Sequence, residues 1–223
     1  MRSLPLPIAL TARLSPVVVL AAAGWALSSG PLAATPAAED RAATQKTDGE
    51  EPSAPATEAV SKTYSAAPAP CDSLGSKSIK SLVPGAKTAG KEIPSTDSKL
   101  RRTCSWNALK GYEYRWLDVS FEITQSDDAA KESFKERVAD KSGGGDVPGI
   151  GDAGYSVVNL STEDKQQTRE GVVLVRSSNA LISITYSGSD FESKKAPASD
   201  DINKGAIKAA KEAVAALEDG QKG

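Results

Sequence analysis

Histidine is absent from the 223-residue chain. Without imidazole, Ser-His-Asp catalysis, histidine-based metal sites and charge switching near neutral pH all drop out together. Cysteine is nearly absent as well, with Cys71 and Cys104 the only two. They form no Cys-x-x-Cys pair, and two thiolates are too few ligands for a structural zinc site. Excess charge is also missing: 27 basic and 29 acidic side chains leave a net charge of −2. From residue 71 onward the balance is 22 to 23. Such a surface offers no electrostatic footprint for nucleic acid, so DNA and RNA are not expected partners. No cofactor and no metal are expected either.

Long hydrophobic runs are equally scarce. The apolar stretch from Val17 to Leu27 is about a dozen residues, short of the roughly 20 that span about 30 Å of hydrocarbon. It follows Arg2 and Arg13 and precedes small residues and Pro31, the order of a secretory signal peptide. Residues 1–34 are therefore expected to be a signal peptide, with retention as an uncleaved anchor the alternative. Ala26-Leu27-Ser28 offers small residues at the positions the peptidase reads. No cysteine lies near this junction, so the membrane is reachable only through an uncleaved N-terminal segment.

Residues 35–70 are rich in Ala, Pro, Thr, Ser and Glu, with Val60 and Tyr64 the only large apolar side chains. That composition predicts a disordered linker, stiffening at Ala66-Ala67-Pro68-Ala69-Pro70 into extended geometry. Residues 71–219 are then the folded domain. Export into an oxidising compartment predicts a Cys71–Cys104 disulfide. Closing a loop of about 34 residues contributes about 3–4 kcal/mol in the chain-entropy model.

Periodicity outlines the domain. Asp72 to Leu82 reads as a short helix with Leu74, Ile79 and Leu82 inward, ended by Pro84-Gly85. Residues 86–99 show no period. Strands are predicted at 102–107, 115–124, 153–160, 171–176 and 180–187, with polar turns at 161–168 and Ser178-Asn179. The cleanest alternation sets Leu117, Val119, Phe121 and Ile123 against Asp118, Ser120, Glu122 and Thr124. Ser126 is placed to cap a helix over Asp127 to Lys141 that carries Ala130, Phe134 and Val138 every fourth residue. Ser199 or Asp200 is placed to cap a last helix with Ile202, Ala206, Ala210, Val214 and Leu217 inward. The fold class is α+β: an antiparallel sheet of about five strands with helices packed on one face.

Candidate chemistry is sparse. Gly149-Ile150-Gly151-Asp152-Ala153-Gly154 matches G-x-G-x-x-G, but it follows a helix and enters a strand, the reverse of a dinucleotide loop. Asp127-Asp128 and Asp200-Asp201 fall at predicted helix starts, where carboxylates stabilise the helix dipole. No stretch supplies the alternating acids of a calcium loop, and no nucleophile has a base at a usable spacing. No catalytic residue is assigned.

Aromatic residues, though only 5% of the chain, concentrate in one place. Trp106, Tyr112, Tyr114 and Trp116 fall across a predicted hairpin, and the last three have the parity opposite to the Leu117–Ile123 core stripe. Either helices cover both faces there, or an aromatic strip is partly exposed near Arg101, Arg102 and Arg115. Tyr112, Tyr114, Arg115 and Trp116 are the candidate ligand-binding residues, suited to a cell-wall glycan, a peptidoglycan fragment or an envelope protein. Trp106 shares parity with Cys104 and is expected to be buried. The rival reading is a cell-wall hydrolase using carboxylates, with Asp118, Glu122 or Asp152 as candidates; a third is a purely structural envelope interaction protein.

Four stretches also resemble a known family: Pro70-Cys71-Asp72-Ser73-Leu74 before a short helix, Cys104-Ser105-Trp106 on a strand, Val147-Pro148-Gly149-Ile150-Gly151-Asp152-Ala153 before a strand, and a closing Ala-rich helix. Together they resemble an actinobacterial cell-envelope domain of unknown function, found in secreted proteins and lipoproteins and related to extracellular sensor domains of receptor Ser/Thr kinases. The resemblance covers residues 70–218. It implies an extracytoplasmic α+β domain with the Cys71–Cys104 bridge and supplies no catalytic residues.

Overall fold

A computed structural model describes residues 63–220. The expected signal segment, 1–34, and the stretch 35–62 of the expected linker lie outside the described residues. In chain order the elements are a 3₁₀ turn at Pro70–Asp72, α1 (Ser76–Leu82), β1 (Lys91–Ile93), β2 (Arg101–Lys110), β3 (Glu113–Ile123) and α2 (Asp127–Ala139). They continue with β4 (Gly145–Asp146), β5 (Ala153–Glu163), β6 (Gln166–Ser177), β7 (Ala180–Asp190) and α3 (Ser199–Asp219). All strands join one antiparallel sheet in the order β1-β2-β3-β7-β6-β5-β4.

The α+β class holds, but the sheet has seven strands rather than five. The two extra strands, β1 and β4, are short, exposed edges, so no buried side chain marks them. The turn expected over 161–168 is also shorter. β5 and β6 pair out to Glu163 and Gln166, and the chain reverses over Asp164 and Lys165, both at positive φ. Exposed side chains on the outer part of β5 conceal a ladder that backbone hydrogen bonds sustain.

Helices cover both faces, not one. The inner face carries Leu117, Val119, Phe121, Val173, Val175, Ile182 and Ile184, all buried beneath α1 and α3. Packing is tight where α3 crosses β6 and β7. A Cβ at Gly171 would lie 2.9 Å from Ile202 Cγ2, and one at Gly205 would lie 2.6 Å from the Tyr186 ring. Ala206, Ala209, Ala210 and Ala213 extend this seam of small residues, and all are fully buried. The helix starts without a side-chain cap, at Ala198, so neither Ser199 nor Asp200 plays the expected role. Ser126 does cap α2, accepting a hydrogen bond from the Ala129 N–H. Its Phe134 and Val138 pack on Tyr155, Val157, Val172 and Leu174 of β5 and β6 on the outer face.

The Cys71–Cys104 disulfide is present and ties the 3₁₀ turn to β2. Cys104 and Trp106 are buried side by side on the inner face, and the Trp106 indole N–H donates to the Thr88 carbonyl at 3.1 Å. Gly90 closes this corner: a Cβ there would sit 2.6 Å from both the Cys104 sulfur and the Trp106 ring. A disulfide belongs with an oxidising compartment outside the cytosol. Among the described residues, no helix is long and apolar enough to cross a membrane.

One part of the expected linker is folded. Tyr64 is 6% exposed, and the side-chain amide of the fully buried Asn179 brackets its backbone. Asn179 Oδ1 accepts the Tyr64 N–H at 2.7 Å, and Nδ2 donates to the Tyr64 carbonyl at 2.9 Å. Ala67 N–H adds a bond to the Lys99 carbonyl at 2.8 Å. Composition missed this segment because one buried ring and a two-point amide clamp, rather than many apolar residues, hold it.

Two substitutions test these contacts. Trp106→Ala should cost about 3–5 kcal/mol of stability, read as a fall in Tm. Asn179→Ala leaves buried backbone groups of Tyr64 unpaired, at about 1–3 kcal/mol each. The same variant should become sensitive to limited proteolysis between Thr63 and Pro70.

Candidate ligand-binding surface

Strand alternation splits the four candidate residues. Even-numbered side chains of β3 face outward, which places Tyr114 and Trp116 on the outer face; Arg115 takes the inner parity. Its Nη1 donates to the Tyr114 carbonyl at 3.0 Å, and its Nη2 lies 3.6 Å from Glu113 Oε2. The side chain lies over Gly188, where a Cβ would be 3.0 Å from Nη1. Arg115 therefore does not join the aromatic strip. Tyr112 occupies the two-residue turn between β2 and β3 and is exposed. Arg101 and Arg102 sit at the opposite end of the hairpin, paired with Glu122 and Glu92.

Trp116 is the best-defined feature of the outer face. It is 42% exposed, yet its indole N–H is shared between Ser105 Oγ at 2.8 Å and Asp118 Oδ1 at 2.7 Å. Those bonds reach a neighbouring strand and the next outward position on β3, so the ring has one orientation before any ligand arrives. Nearer the turn, Tyr114 stacks obliquely on Phe191 with ring centroids 6.2 Å apart, opposite Leu109. With Tyr112 these form an apolar ledge, and Leu109, Tyr112 and Phe191 are exposed.

Sheet order brings other groups to the same surface. Trp116 pairs with Ser187 of β7, which pairs with Glu170 of β6. Glu170 borders a cleft of about 340 Å³ between the C-terminal end of α2 and the outer face, where Arg137, Lys141, Ser183 and Thr185 also line the wall and floor. Sequence reasoning missed Ser183, Thr185, Ser187, Glu170 and Arg137. Only the alternation of β7 hinted at them, because the β3–β7 and β7–β6 pairings decide which strands share a row.

The three rival carboxylates are all engaged. Asp118 holds the Trp116 indole. Asp152 accepts from Arg176 Nη1 at 2.9 Å and from the Ser178 N–H at 2.7 Å. Glu122 receives Arg101 at 2.7 Å and Arg137 at 2.8 Å. Burial pushes the Glu122 carboxyl upward, but the Arg137 hydrogen bond and the charges of Arg137 and Arg101 outweigh it, leaving the pKa below its ordinary value. Among the described residues, no cluster of three or more His, Cys, Asp or Glu is placed to hold a metal. The G-x-G-x-x-G stretch joins β4 to β5, with Gly149 and Gly151 at positive φ, so it serves as a turn.

Because Glu122 has a lowered pKa when folded, its contribution to stability is present above its ordinary value of 4.5 and is lost as pH falls through the lower folded value. The Tm difference between the parent protein and Glu122→Gln should hold steady at neutral pH and shrink below pH 4.5. A difference that does not vary with pH would refute the ion-pair account.

No family model matches the chain, and no curated protein matches it. Among solved structures it is similar to a crystal structure of a protein from Bacteroides thetaiotaomicron VPI-5482, with 11% identity and a TM-score of 0.32. The match covers 57% of this chain and 47% of that one, so this chain spans about half the length of that protein. A likeness at that level carries no argument about fold or function.

Proposed function

We propose that this chain is a non-catalytic binding or sensing module of the bacterial cell envelope, exported by its N-terminal segment. On this reading it recognises a cell-wall glycan or peptidoglycan fragment on the outer face of the sheet. The carrying observation is Trp116, an exposed indole whose N–H is already satisfied by Ser105 and Asp118. A fixed ring face offers dispersion and C–H contact to a sugar ring at little entropic cost. Ser187 and Asn107, its neighbours in register, add hydroxyl and amide groups suited to a polyhydroxylated ligand. The disulfide and the order of charged, apolar and small residues in 1–34 support export. The resemblance to an actinobacterial envelope domain points the same way. The engaged state of Asp118, Glu122 and Asp152 favours binding over carboxylate catalysis.

The apolar ledge of Leu109, Tyr112, Tyr114 and Phe191 favours a second reading, contact with an envelope protein. Titration of the purified exported chain with soluble peptidoglycan fragments, followed by tryptophan fluorescence, separates the two. Trp116→Ala should weaken binding by about 1–2 kcal/mol or more and leave the Tm nearly unchanged. Unaltered affinity in that variant, or unfolding caused by it, would remove the outer face as the site. Turnover of the fragments, lost on Asp118→Asn or Glu122→Gln, would establish the enzymatic rival.

A further inference from the structure

The cleft beside α2 holds charges of both signs that the protein does not use. Glu170 and Asp140 carry carboxylates, and Lys141 an ammonium, with no side-chain hydrogen bond or ion pair among the described residues. Arg137 spends one nitrogen on Glu122, which leaves its other donors over. The hydroxyls of Ser183 and Thr185 on the cleft floor are likewise without a side-chain partner among the described residues. Val172 and Leu174, their neighbours in register on β6, complete the lining with apolar, buried side chains.

Register places this cleft beside the Trp116 platform. Trp116, Ser187 and Glu170 occupy one cross-strand row, so the indole and the Glu170 carboxylate stem from backbones two strand spacings apart, about 10 Å. That is a span linked sugar rings can bridge. A bare neutral glycan would gain nothing from a cleft carrying unspent charges of both signs. A group with both an ammonium and a carboxylate would satisfy Glu170 and Asp140 with one end and Arg137 and Lys141 with the other.

We infer that the cleft is a second subsite, for the zwitterionic amino-acid portion of a peptide attached to a glycan whose sugar stacks on Trp116. This rests on the glycan reading of the outer face and narrows it to glycans bearing a short peptide with free ammonium and carboxylate groups.

Calorimetry on the full exported chain tests it with two probes: an N-acetylglucosamine oligomer without peptide, and a muropeptide carrying its peptide stem. The muropeptide should bind about tenfold tighter or better. Glu170→Gln should remove most of that advantage while leaving oligomer binding unchanged. Glu170 is exposed, so the variant should keep the parent Tm. Equal affinity for the two probes, or an advantage that survives Glu170→Gln, overturns the second subsite while Trp116-dependent oligomer binding leaves the glycan reading standing. Loss of the advantage in Glu170→Gln together with Trp116-independent oligomer binding supports the cleft and removes the platform. Failure of both probes to bind overturns both.

Discussion

The close approach of α3 to β6 and β7 sets the terms for the rest of the molecule. A helix bearing Gly205, Ala206, Ala209, Ala210 and Ala213 can press onto Tyr186 and Gly171 where larger side chains would hold it off. That contact seals the inner face together with α1, and hydrogen bonds from Gly75 N–H and Ser78 Oγ to Glu212 stitch the two helices to each other. The outer face then has only α2. Its stripe of Ala130, Phe134 and Val138 is too narrow to cover seven strands. Part of that face is left to meet water, and the outward positions Ser183, Thr185 and Ser187 of β7 are partly exposed. A large ring survives there because its one polar atom is already bonded.

What could be read from the chain beforehand was whatever had a burial period. The alternation of β3 and the apolar stripes of α2 and α3 each announce an element that buries one side. The Ser126 cap was legible too, since a hydroxyl before two acids and an apolar period has few other uses. The edges escaped. Lys91–Ile93 and Gly145–Asp146 bury nothing, and the outer half of the β5–β6 hairpin is polar apart from the exposed Leu160. Their existence depends on a neighbour's unpaired backbone, and side-chain pattern does not encode that. Tyr64 escaped for a related reason, because its partner Asn179 lies 115 residues away.

The candidate surface was legible one strand at a time. Parity alone separated Trp116 from Leu117 and paired Trp106 with Cys104, and the burial of Trp106 follows that pattern. Parity also argues against grouping Arg115 with its neighbours, since adjacent residues on a strand face opposite ways. Everything to the far side of Trp116 depends on β7 entering the sheet beside β3, a pairing between segments some 70 residues apart. No local pattern carries that information, so Ser187 and Glu170 came into view only with the topology.

Where the chain enters the fold has a mechanical consequence. Tyr64 is clamped at the Ser178-Asn179 turn, the end of β7 that faces Ile123. Trp116 pairs with Ser187, seven residues further along that strand, or roughly 24 Å away. A pull between Tyr64 and an object held at Trp116 therefore runs along the strands. Hydrogen bonds of the β3–β7 ladder lie across that line and share the load in shear, instead of opening singly as they would if one edge were peeled. The Cys71–Cys104 bridge limits how much chain can be drawn out ahead of β2.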